Sequence, residues 1–376
     1  MVSVTQLEGD YRYVNQNQSQ GQSKCDEAPL KGFETPLYLM CTSLENDGAH
    51  DFFACTEDGG QSLLDSLILS QWEERAWKGQ FSYDITSCAT KIIEGGLKLT
   101  AQLNEKWNSK FFTEFEKKAF QPSGGVIKPC YVKANKEDIL FCVASGDRER
   151  PLLIPLTGAP QDGVLLIVNE NPIEYGHIFL VPYLLHKRMQ TLGKALQLII
   201  KIAVEVNSSS LRMFCDFSTT NTEQAYFQAS YFANPLPVER LATIPVYVSS
   251  LTDGMSIWEV ADYPLKVLVF TSKNLKKLVE AIAEICSTLQ QRNTVFNLLI
   301  SDCGTRTFLF PQVHLPVTGR HLHAWECGGY FIYNRISDFD SASEMEISKR
   351  LASVSLDVKG FQYLKQLSCS VAAKIA

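Results

Sequence analysis

Val164-Leu-Leu-Ile-Val-Asn-Glu-Asn-Pro-Ile-Glu-Tyr-Gly-His-Ile-Phe-Leu-Val181 decides how this chain is organised. Two aliphatic runs, residues 164–168 and 177–181, flank a segment with Pro172 and Gly176, residues that suit a turn, so the stretch predicts a strand, a turn and a second strand. Downstream, Leu192, Leu196, Ile199, Ile200 and Val204 recur at threes and fours and predict a long helix from Leu184 to Val206. The same kind of unit returns later in the chain. Leu275, Leu278, Val279, Ile282, Ile285 and Leu289 place a second long helix over 274–291. Residues 295–300 and 305–310 then flank the turn sequence Ser301-Asp-Cys-Gly304 and predict a hairpin. Hairpins with long helices, occurring twice, point to an α+β protein built on antiparallel sheet with long packed helices.

On the N-terminal side, Leu63, Leu64, Leu67, Leu69, Trp72 and Trp77 fall near helical spacing, and Gly79 stands where such a helix would stop. Phe81 to Thr86 and Ile92 to Gln102, the latter split by Gly95-Gly96, read as a further hairpin-like pattern. Residues 1–34 are polar, with Asn-Gln-Asn-Gln-Ser-Gln-Gly-Gln-Ser-Lys over 15–24, and are expected to form a tail that buries too little surface to offset the entropy of ordering. The expected organisation is that tail, a first half over 35–250 and a second half over 251–376 packed on it.

At 376 residues and 45% hydrophobic the chain can bury a substantial core, and a net charge of −6 supplies no basic field for a phosphate backbone. Nucleic acid is not an expected partner. No apolar run reaches the roughly 20 residues that span a bilayer, and no basic, then apolar leader opens the sequence, so a soluble intracellular protein off the membrane is expected. The 11 cysteines are odd in number and never spaced Cys-x-x-Cys, which fits reduced core thiols; neither a metal nor a cofactor is expected.

The segment Val168 to Pro182, in which Gly176-His177 opens a strand ending in Pro, resembles the strand entry of the histidine-triad superfamily. Further segments extend the likeness: Gln71-Trp-Glu-Glu-Arg75, Lys78-Gly-Gln-Phe-Ser-Tyr-Asp-Ile-Thr86, Ala101-Gln-Leu-Asn-Glu105, Phe227-Gln-Ala-Ser-Tyr-Phe232 with Asn234-Pro-Leu-Pro-Val-Glu239, and Phe296-Asn-Leu-Leu-Ile-Ser-Asp-Cys-Gly304 with Phe308-Leu-Phe-Pro-Gln312. Together these resemble the GDP-L-galactose phosphorylases of plants over nearly the whole chain after the tail, and the GDP-glucose phosphorylases of animals more distantly. The resemblance implies a duplicated histidine-triad fold like that of galactose phosphate uridylyltransferase. It also implies a nucleotidyltransferase chemistry: a histidine attacks the α-phosphate of a nucleotide sugar, and inorganic phosphate then takes the nucleotide, a step that commits carbon to ascorbate in plants. A neutral imidazole suits that role because it is a good nucleophile near pH 7 and can leave again. The family also implies a cytoplasmic protein, with the nucleus as a second location.

Against that family the sequence departs at its chemical centre. The family's nucleophile is the second histidine of His-Leu-His-Phe-Gln, and the same register here reads Gln224-Ala-Tyr-Phe-Gln228. Tyr226 stands at the nucleophile, Gln224 at the first histidine, and only Gln228 matches. No local shift restores the imidazole, since the chain has no histidine between His186 and His314. Upstream, Met213-Phe-Cys-Asp-Phe-Ser-Thr-Thr220 replaces the family's Asn-Ser-Leu-Gly-Ala loop, and no glycine lies between Lys194 and Asp253 to let backbone close on an anion. Glu116 stands where the family carries an arginine.

Each candidate has a plainer alternative. His177 matches the family's supporting histidine, and the favoured reading is a hydrogen-bonded strand residue whose client is gone. Tyr226 is better read as an aromatic filling the vacated space than as a nucleophile, since an ordinary phenol titrates near pH ~10. His321-Leu-His323 is read as a surface or strand-edge pair, with histidine-triad reuse or metal binding as the remote alternative, Ser301 to Gly304 as a turn, and Lys187-Arg188 as a solvated helix face. Asn104, Asn169, Asn171 and Glu174 lie in segments that border the nucleotide-sugar pocket in relatives. Tyr226, Gln224, Gln228 and His177 are thus the candidate polar groups of a degenerate catalytic site. Three functions follow: a binding or regulatory pseudoenzyme with a nucleotide-sugar, other small-molecule or protein partner; a neofunctionalised enzyme using the remodelled pocket; and a surviving GDP-hexose phosphorylase.

Overall fold

The computed structural model describes residues 34–41, 60–107, 137–147, 150–158, 160, 162–184, 192–217, 226–250, 254–313 and 321–375. Residues 1–33 of the expected tail, Gln224, Glu116 and Lys187-Arg188 lie outside the described residues, and Glu34, its last residue, opens a strand.

The hairpin quoted above forms as β6 (Asp162–Val168) and β7 (Tyr175–Leu184), paired antiparallel with Leu166 opposite Leu180. Leu184, the expected helix start, instead ends β7 by pairing with Asp162, and the helix, α2 (Leu192–Val206), is followed by β8 (Leu211–Phe217) and β9 (Phe227–Tyr231). In the sheet these strands lie in the order β6-β7-β9-β8. The second half repeats the plan: β11 (Ser256–Val260), β12 (Leu268–Thr271), α3 (Leu275–Gln291), β13 (Val295–Ser301) and β14 (Arg306–Gln312), ordered β11-β12-β14-β13. The two units meet through β8 and β13, antiparallel with Phe214 opposite Leu299, so the chain is an α+β protein built from a doubled unit. Among the described residues the sheet has 12 strands, extended by β10 (Thr243–Val248) beyond β11 and by β4 (Ile139–Ser145), β1 (Glu34–Met40) and β5 (Leu152–Gly158) beyond β6. Both edge strands, β5 and β10, carry an exposed proline, Pro155 and Pro245, which cannot donate to a further strand.

One face of this sheet is covered by α1 (Leu63–Trp77), α2, α3 and α7 (Val358–Ile375), which bury Ile68, Leu196, Ile285 and Leu364 against Leu166, Met213, Leu298 and their neighbours. The other face receives a three-stranded sheet of β2 (Ala89–Ile92), β3 (Thr100–Leu103) and β15 (Tyr330–Tyr333), with the short helices α4 (Ala324–Cys327), α5 (Ile336–Ser341) and α6 (Glu344–Val354). The alternation of strand side chains therefore splits β7, β8, β9 and β13 into an apolar helix-side set and a second-side set that contains His177, Asp216, Gln228 and Asn297.

The helix signals are met with local reasons. Ser62 caps α1 by accepting from Asp65 N–H at 3.1 Å, and Asn274 caps α3 by accepting from Lys277 N–H at 3.1 Å. In α1 the buried face is Leu64, Ile68 and Trp72, while Leu63 and Trp77 face water. Apolar side chains surround this helix, so spacing alone could not select its face. Asp65 joins the buried side because it accepts from Tyr231 Oη at 2.6 Å and Gln61 Nε2 at 2.8 Å. The first predicted hairpin shifts: residues 85–87 form a single 3-10 turn, and β2 and β3 are its strands. Ser301 to Gly304 is the turn between β13 and β14, and the eight described cysteines are all free thiols, with Cys142, Cys215, Cys286 and Cys327 buried.

Candidate functional site

His177 sits at the head of β7, with no exposed surface. Its Nδ1 accepts from the backbone N–H of Ile173 at 3.0 Å and lies 3.0 Å from Asn169 Nδ2, so Nε2 carries the proton and donates to Gln228 Oε1 at 3.1 Å. Asn169 is itself set by accepting from Asn171 N–H at 2.9 Å. Burial pushes the imidazole down to about 3, against a smaller opposing contribution from Gln228, so the ring is neutral near pH 7. Its lone pair is engaged by two donors, an arrangement that fixes a tautomer rather than presenting a nucleophile.

Gly176, before His177, adopts φ +67°, and an added Cβ would come 2.5 Å from Tyr231 Cδ2. Only glycine meets both demands there. Glu174 accepts from Tyr330 Oη at 2.8 Å, and burial raises its carboxyl above the usual range despite that bond. Gln102 Nε2 bridges Tyr330 Oη at 2.9 Å and Ile173 O at 3.1 Å, which ties the small sheet to the turn that holds His177. The structure therefore gathers Asn169, Asn171, Glu174, His177 and Gln228 around one turn. Asn104 is buried immediately after β3.

Tyr226 precedes β9 and is half-buried; its ring meets Phe179 edge-on at 5.9 Å, and Phe179 lies 6.0 Å from His177. Its carbonyl accepts from Cys215 Sγ at 3.2 Å. The pairing of β8 with β9 ends at Phe214 opposite Gln228, and Asp216 lies two residues further along β8.

Asp216 meets a residue that spacing could not pair with it. His323 Nδ1 lies 2.7 Å from Asp216 Oδ2, and Asp216 Oδ1 accepts from Ala324 N–H at 2.8 Å. The His323 ring stacks on buried Trp325 at 4.3 Å and 10°. His323 is thus only partly exposed: at the N-cap of α4 its ring is turned onto Asp216 of β8. The two residues are 107 apart in sequence, and nothing in a single sequence signals the pair. Among the described residues, no three or more histidine, cysteine, aspartate or glutamate side chains are placed to hold a metal ion, and no helix is long and apolar enough to cross a membrane.

Residues 63–230 match the family model described as "GDPGP1-like, N-terminal domain", and residues 237–375 match "GDPGP1-like, C-terminal domain". The chain is 31% identical over 365 residues to GDP-L-galactose phosphorylase 1 of Arabidopsis thaliana, covering 90% of this chain and 80% of that protein. It is 22% identical over 315 residues to GDP-D-glucose phosphorylase 1 of Danio rerio, covering 77% and 85%. Among solved structures, a yeast Ap4A phosphorylase, Apa2, aligns with a TM-score of 0.49 at 10% identity, covering 79% of this chain and 95% of that one.

Proposed function

The chain belongs to the GDP-hexose phosphorylase family, and from that membership we propose that it keeps a nucleotide-sugar site but does not carry out the phosphorolysis for which its relatives are named. One observation carries the reading: no histidine lies between His186 and His314, the interval in which the resemblance sets the attacking histidine, at Tyr226. Loss of a catalytic nucleophile costs roughly 10⁶ in turnover in a well-studied hydrolase, more than the retained Gln228 can restore. Supporting the reading is the state of His177, whose two ring nitrogens are committed to the turn and to Gln228. The occupant is a small molecule of the nucleotide-sugar class, and the biological output is binding or regulation, through a protein partner or through the ligand itself.

Calorimetry with GDP, GDP-glucose and GDP-L-galactose, beside an assay of phosphate-dependent GDP release, tests this reading. Binding without GDP release is the expected result, and Tyr226→His alone should not create release, because the glycine-containing loop is also missing. Phosphate-dependent GDP release that disappears in Tyr226→Phe would overturn it.

A second reading, a remodelled site with a chemistry of its own, is favoured by one specific pair, Asp216 and His323.

A further inference from the structure

Asp216 and His323 form a carboxylate–imidazole pair on the same side of the sheet as His177 and Gln228. Several contacts position it. Asn297 Nδ2 and Gln312 Nε2 donate to Leu322 O at 2.6 and 2.9 Å, and Leu322 N–H donates to Gln312 Oε1 at 3.0 Å, so the residue before His323 is clamped to β13 and β14. Glu326 Oε2 accepts from His323 N–H at 2.9 Å, and Arg350 holds the other oxygen of Glu326 at 2.6 Å. Trp325, edge-on to Phe214 at 6.0 Å, supports the imidazole face. The clamp is complete without the imidazole, and its amides are core residues, Asn297 2% and Gln312 0% exposed. The Asp216 and His323 side chains, in contrast, are 21% and 19% exposed. A pinned, oriented imidazole that still reaches solvent is an arrangement suited to moving a proton.

We propose that His323, positioned by Asp216, is the general base of a hydrolytic site acting on the phosphoanhydride of a nucleoside-diphosphate sugar; this rests on the nucleotide-sugar reading above. A carboxylate oxygen can only accept, so the 2.7 Å contact selects the tautomer with hydrogen on Nδ1 and makes Nε2 the basic nitrogen. Water attacks the α-phosphorus and forms a new O–P bond. One water proton passes to His323 Nε2, the other stays on the new phosphate oxygen until it ionises, and the bond from the α-phosphorus to the bridging oxygen breaks. The bridging oxygen leaves on the β-phosphate, so the products are guanosine monophosphate and hexose 1-phosphate. No covalent enzyme intermediate and no inorganic phosphate are needed, which separates this chemistry from phosphorolysis.

The test uses the full chain with GDP-glucose in phosphate-free buffer, followed by phosphorus NMR in heavy-oxygen water, with calorimetric affinity measured in parallel. Expected are guanosine monophosphate carrying the label, glucose 1-phosphate, and a loss of about 10²–10⁴-fold in His323→Ala, the range for a general base. Added imidazole should restore part of that activity, which a purely structural role would not allow. Asp216→Asn should lower kcat with KM unchanged. Binding without product overturns the inference and leaves the nucleotide-sugar reading standing, whereas absence of both overturns both. Unimpaired turnover in His323→Ala, loss without rescue by imidazole, or a guanylylated protein trapped during turnover each overturns the base assignment.

Discussion

His177 and Gln228 are joined across β7 and β9 by a hydrogen bond of 3.1 Å from a ring nitrogen that has no exposure to water. Burial, with the two donors on Nδ1, makes the neutral imidazole the folded form, and the bond to Gln228 opposes this only in part. An ordinary histidine titrates near 6.5, whereas here burial lowers the value to about 3. Between those limits the unfolded chain binds a proton that the folded chain does not, so stability falls as pH drops through that window and the effect levels off below it. At pH 5 this one residue should cost about 2 kcal/mol relative to pH 8. Urea unfolding of the wild type and of His177→Gln should show a steeper acid loss in the wild type; equal slopes would mean that the ring takes up a proton in place.

Gly176 and Tyr231 make a steric prediction. Gly176→Ala must hold a side chain at φ +67° and place Cβ 2.5 Å from the Tyr231 ring, whose hydroxyl is bound to Asp65. The combined cost should be about 2–4 kcal/mol, from the left-handed backbone and from overpacking. Thermal unfolding measures it, and an unchanged Tm would show that the ring moves aside freely.

Arg212 and Glu239 form an ion pair at 3.0 Å with both side chains 3% exposed. Glu239 also accepts from Leu236 N–H at 2.6 Å, and Arg306 binds its carbonyl at 3.2 Å, so the pair fastens the 234–240 segment to β8. Arg212→Met leaves a buried carboxylate without its counter-charge and should cost about 3–5 kcal/mol in urea denaturation. Adding Glu239→Gln should recover part of that loss, since the amide removes the charge and can still accept from Leu236. A double variant less stable than Arg212→Met would contradict this account.

Much of the architecture was legible along the chain. The hairpins of β6 with β7 and β13 with β14, and the helices α2 and α3, announce themselves through local periodicity and turn chemistry that act within a few residues. The buried face of α1 did not, because Leu63 and Trp77 are as apolar as Leu64 and Trp72, and only the sheet beneath distinguishes them. Gly176 and His177 could be singled out as a strand entry, whereas the three partners that fix the imidazole come from the turn and from another strand.

By itself the sequence determined the family, the doubled α+β plan and the absence of an imidazole at position 226, all properties of residue identity and of spacing. Tertiary structure alone decided that His177 is closed off while His323 meets Asp216. The physical reason is that periodicity specifies which side of an element is buried but not what is packed against it. That is settled by the joining of the two units through β8 and β13, which brings α4 over the face that carries Asp216.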